Sequence, residues 1–79
     1  MDVSAIGEKV YWHRDERGWT QEELAKVSGI SATTISHIES GAIEQPRMNT
    51  IRRLARAFGM STDAFLRSEE PAAPLAPAR

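Results

Sequence analysis

The stretch WTQEELAKVSGISATTISHIESG, residues 19 to 41, carries two helix-start signals and two glycine stops, and this punctuation leaves the chain little choice of fold. Thr20 followed by Glu23 has the spacing of a capping box, in which each side chain satisfies a backbone N–H at the helix start. Trp19 with Leu24 has the spacing of a hydrophobic staple. A helix therefore begins at Gln21, turns Leu24, Ala25 and Val27 inward, and is cut short at Ser28-Gly29. The next two residues repeat the signal. Ser31 is the cap, Ile30 staples to Ile35, and Ile35 and Ile38 face inward until Gly41 ends the second helix.

Two short helices across a tight glycine turn make a helix-turn-helix unit over about residues 20 to 39. Apolar residues recur at helical spacing on either side of it, and no alternating run of β-branched residues predicts a strand. Val3, Ile6 and Val10, with His13 on the same stripe, mark a first helix that stops at Gly18. After Gly41, Pro46 blocks continuation and biases Gln45 to an extended conformation. A fourth helix then turns Met48, Ile51, Leu54, Ala55 and Phe58 to one side and arginines to the other, and ends at Gly59. Ser61 caps a short fifth helix whose Phe65 and Leu66 close the core or serve a dimer contact. The expected fold is all-α, a compact five-helix domain over residues 1–67. Residues 68–79, SEEPAAPLAPAR, are Pro/Ala-rich and read as a disordered tail or linker.

At 79 residues the chain holds one domain, and with no cysteine it has no disulfide, no thiolate nucleophile and no Cys-type zinc site. No nucleophile–base–acid constellation, phosphate loop or metal cluster appears, so neither an enzyme nor a cofactor or metal is expected. Nothing approaches the ~18 consecutive apolar residues of a membrane span, and the first residues lack the pattern of a signal peptide, which makes a cytoplasmic location the expectation. The formal net charge is −1, but residues 42 to 67 hold five arginines against Glu44 and Asp63. A local basic edge, Arg47 with Arg52, Arg53 and Arg56, thus survives inside a nearly neutral total.

Thr20-Gln21, Leu24-Ala25, Ser28-Gly29-Ile30-Ser31, Ile35-Ser36, Ile38-Glu39 and Gly41, followed by IRRLARAFGMSTDAFL, resemble the Cro/cI-type, or XRE-family, helix-turn-helix regulators over roughly residues 6 to 66. The resemblance implies a lambda-repressor-like domain that binds double-stranded DNA, commonly as a homodimer on a pseudo-palindromic operator. It also implies that Arg14 and Glu39 form a structural pair tying the first helix to the third. Loss of one partner would cost on the order of 3 kcal/mol.

In such a domain the helix over residues 31–40 enters the major groove with its first exposed turns against the base edges. Ala32, Thr33 and His37 are the expected base readers. Ala32 offers a methyl suited to a thymine methyl, Thr33 donates or accepts, and His37 donates to guanine or to a phosphate. Ser31, Thr34, Ser36 and Ser40 are expected at the sugar–phosphate backbone. Gln21 at a helix N-terminus, assisted by Thr20, and Arg47 after Pro46 are expected at phosphates. The reading face carries neither lysine nor arginine, which assigns phosphate attraction to residues outside it. Two alternatives stay open at this point. One is an antitoxin or restriction-modification controller, with a toxin or another regulator as protein partner; the other is an interaction domain that has lost DNA binding.

Overall fold

In the computed structural model, residues 4–68 are described and form five helices: α1 Ser4–Glu16, α2 Gln21–Ser28, α3 Ala32–Ser40, α4 Met48–Ala57 and α5 Thr62–Arg67. Val3 and the tail from residue 69 lie outside the described residues. The local signals act as their chemistry dictates. The Thr20 hydroxyl accepts from the Glu23 N–H at 3.0 Å while the Glu23 carboxylate accepts from the Thr20 N–H at 2.8 Å, completing the capping box. Ser31 and Ser61 cap α3 and α5 in the same way, through the Thr34 and Ala64 N–H groups. Gly29 ends α2 at φ 79°, a left-handed conformation that a side chain would strain, and this sets the tight turn between α2 and α3.

The core is one cluster in which Val10, Leu24, Ile35, Ile38, Leu54, Ala55 and Phe65 are fully buried and Ile30, Ile51 and Phe58 nearly so. Two residues expected inward are not. Val27 is 54% exposed, because on so short a helix the core-facing arc passes through Leu24, Ala25 and Ser28 instead. Ser28 is buried in its place, with its hydroxyl satisfied locally by the Ile30 N–H at 3.2 Å. Met48, at the first turn of α4, lies beyond the end of the core and is 50% exposed. Phe65 closes the core alone, leaving Leu66 on the surface.

Helix α1 crosses α3 at very close range. A Cβ on Gly7 would stand 2.3 Å from the Ile38 carbonyl oxygen and 3.3 Å from the Glu39 Cα, so only glycine fits at the crossing. Val10 and Arg14 follow Gly7 on the same face of α1, three and seven residues on.

A neighbouring flank of α1, with Arg17 just after it, grips the ends of the last two helices. Lys9 Nζ donates to the Ser68 carbonyl after α5, and Arg17 Nη2 donates to the Phe58 carbonyl after α4 at 2.9 Å. Both cations thus sit at the negative ends of helix dipoles. Between them His13 is 5% exposed, its ring against Trp12, Phe58 and Phe65. His13 Nε2 lies 3.1 Å from Ser68 Oγ, whose own proton is donated to the Phe65 carbonyl at 2.7 Å. Nε2 must therefore be the N–H that donates, which leaves Nδ1 unprotonated, buried and without a partner. Burial, with the nearby charge of Arg17, holds the imidazole below its ordinary pKa, so His13 is a neutral packing residue.

Candidate nucleic-acid interface

Helix α3 turns Ile35 and Ile38 to the core, which forces Ala32, Thr33, Ser36, His37 and Ser40 onto one outer arc of about 140° at 100° per residue. Thr33, His37 and Ser40 are exposed, and Ala32 and Ser36 are half-buried. No side chain on this arc is longer than a histidine, so the helix backbone can approach another surface closely. Thr34 falls off the arc. It lines a cleft with Ile38, Ile43, Pro46, Arg47 and Thr50, between α3 and the start of α4. Ser31 lies beside the arc and Ser40 on it, both with their hydroxyls already engaged. Ser31 accepts from the Thr34 N–H and donates to Thr34 Oγ1 at 3.0 Å; Ser40 donates to the His37 carbonyl and accepts from the Ala42 N–H.

A buried ion pair fixes the angle of this helix. Arg14 Nε donates to Glu39 Oε2 at 2.8 Å and Arg14 Nη2 donates to Glu39 Oε1 at 3.0 Å, a bidentate fork between side chains 14% and 8% exposed. The remaining Arg14 Nη1 donates to the Trp19 carbonyl at 2.7 Å, just ahead of the α2 cap. The bond to Glu39 raises the Arg14 pKa, so the guanidinium stays charged. The pair implied by the resemblance is thus present, and it reaches further than expected: Gln21 Nε2 also donates to Glu39 Oε1, at 3.1 Å. Sequence spacing contains no signal for that third link, which depends on how α2 lies against α3.

Donors outside the arc come from helix starts and from arginine. In α2 the Thr20 cap serves Glu23 and Leu24, leaving the N–H groups of Gln21 and Glu22 with no partner inside the helix. Helix α4 begins on Arg47, whose side chain makes no capping bond, and its first turn holds no acid. Its free N–H groups and the exposed Arg47 guanidinium form one positive corner at the cleft that separates them from α3. Arg52, Arg53 and Arg56 lie along the face of α4 opposite Ile51, Leu54, Ala55 and Phe58. They make no ion pair among the described residues. Among those residues there is also no group of His, Asp or Glu able to hold a metal ion, and no helix is long and apolar enough to cross a membrane.

Comparison with known proteins agrees with this arrangement. The chain matches a helix-turn-helix family model over residues 10–65. It is 42% identical over 64 residues to the HTH-type transcriptional repressor RghR of Bacillus subtilis strain 168, covering 81% of this chain and 47% of that protein. An uncharacterized HTH-type transcriptional regulator of Methanothermobacter thermautotrophicus is 40% identical over 62 residues, covering 76% of this chain and 88% of that one. The HTH-type transcriptional regulator PuuR of Escherichia coli K12 is 30% identical over 66 residues, 84% of this chain and 35% of PuuR. The chain therefore spans about half the length of RghR and about a third of PuuR.

Proposed function

We propose that this chain, a member of the Cro/cI-type helix-turn-helix family, is a DNA-binding transcription regulator in which α3 lies in the major groove of duplex DNA and two copies occupy a pseudo-palindromic operator. The observation that carries this reading is the α3 arc itself, a row of short side chains on a helix held by a buried bidentate pair. Ala32, Thr33 and His37 meet base edges, and Ser36 and Ser40 meet the backbone at the groove wall. Gln21 with Thr20, and Arg47 with the start of α4, contact phosphates on either side. Ser31 holds the start of α3 and gives its proton to Thr34 Oγ1, and the Thr34 hydroxyl, whose own proton is free, donates to the sugar–phosphate backbone.

The DNA-binding unit runs through Ser68, one residue past the expected boundary, because Ser68 caps α5 and is held by Lys9 and His13. The site of action is the cytoplasm, at the DNA. With few charges on the reading face, one copy binds modestly, and pairing of two copies on one operator supplies affinity. The regulator acts by occupying its operator. Selection of bound sequences from a random DNA pool tests the whole reading. The expected product is a two-fold symmetric consensus whose half-sites lie one helical turn apart, about 34–36 Å. An asymmetric consensus, or no enrichment, would refute the paired arrangement.

A further inference from the structure

We propose that Glu39 is a positioning residue for DNA binding that acts through Gln21, setting the orientation of the amide that meets the phosphate backbone as well as docking α3. This rests on the placement of Gln21 at a phosphate. The Glu39 carboxylate is an acceptor only, so the Gln21 amide must turn its nitrogen inward to Oε1, the 3.1 Å contact. That choice leaves one N–H of the amide and its carbonyl oxygen on the outer side, fixed rather than rotating. Arg14 occupies both carboxylate oxygens, so the pair as a whole is neutral and orients Gln21 without repelling a phosphate. Arg14 also bonds the Trp19 carbonyl, which holds the backbone two residues before Gln21. Gln21 is therefore set from both its side chain and its main chain.

A half-buried amide with its rotamer already fixed gives up less freedom when it binds, so its hydrogen bond counts almost in full. Titrations with a mixed-sequence DNA duplex at low salt test this, since a phosphate contact acts on any sequence. Gln21→Ala is expected to weaken binding about tenfold in the native background, the low end of the range for one hydrogen bond to a charged group. Replacing the buried pair by apolar residues, Arg14→Met with Glu39→Leu, keeps the crossing packed. In that background Gln21→Ala is expected to change binding less than about twofold. Arg14→Lys loosens the docking of α3 but keeps the Glu39 carboxylate, and there the full penalty should remain.

No effect of Gln21→Ala in the native background would remove the phosphate contact, and the proposal with it. A full penalty in the apolar background would overturn the proposal and leave the contact standing. Loss of the penalty in Arg14→Lys would also overturn it, since Glu39 would then act through docking alone. The native protein provides a direct readout that needs no variant to fold. Side-chain amide relaxation should show Gln21 as rigid as the backbone and the exposed Gln45 mobile; equal mobility of the two would refute the proposal.

Discussion

Replacing Gly7 by alanine pits two effects of known size against each other. In the interior of a helix, alanine is favoured over glycine by about 1 kcal/mol, so α1 considered alone predicts stabilisation. The crossing with α3 predicts the reverse. The new methyl would stand 2.3 Å from the Ile38 carbonyl oxygen, where an ordinary carbon–oxygen approach is about 3.3 Å, so the two backbones must part by about 1 Å. Neither obstructing atom belongs to a flexible side chain. A gap of that size forfeits a quarter to a half of the dispersion attraction across the crossing, and overpacking of this kind costs about 1–3 kcal/mol. It also stretches the Arg14–Glu39 fork, whose two hydrogen bonds are 2.8 and 3.0 Å long. Together these outweigh the propensity gain and leave the variant less stable by about 2 kcal/mol, or a Tm about 8–16 °C lower for a domain of this size. Thermal and urea unfolding followed by far-ultraviolet circular dichroism measure it. A Tm equal to or above that of the native protein would refute the close approach of α1 and α3.

Four further outcomes are expected. Arg14→Ala leaves the buried Glu39 carboxylate without its partner and should lower stability by about 3–5 kcal/mol, read from urea unfolding. Thr33→Ala and His37→Ala should each change the preferred base at a position of the selected operator; an unchanged preference in both would remove α3 as the reader. Arg47→Ala should weaken all sequences about equally and reduce the slope of log affinity against log salt by about 0.9, seen in a salt titration. The buried His13 binds its proton less readily than the unfolded chain does, because its folded pKa is lowered by burial and by Arg17. Stability should therefore fall as pH drops through about 6.5, the unfolded value, and level off below the folded one; His13→Phe should remove that segment of the pH–stability curve.

What the sequence made legible were the signals confined to neighbouring residues. The Thr20–Glu23 box, the caps at Ser31 and Ser61 and the glycine at position 29 each act within one turn, and each is where its spacing placed it. Inward faces were harder to read. An eight-residue helix such as α2 gives its apolar pattern too few turns to fix a phase, so Val27 took a place that belongs to the smaller Ser28. The fork between Arg14 and Glu39 came from resemblance to a family and not from the residues themselves. Gly7, the Gln21–Glu39 bond and the grip of Lys9 and Arg17 on helix ends are products of packing between distant segments, for which one sequence carries no local mark.

The grip on Ser68 has a consequence for how the domain comes into being. Lys9 and His13 find their partner fifty-five or more residues later in the chain, and the aromatic floor beneath them is completed only by Phe65. Until α5 docks, the imidazole and one side of the Phe58 ring lack their Phe65 cover. The helix-turn-helix can form early, but the body that carries it shuts only when its last helix arrives.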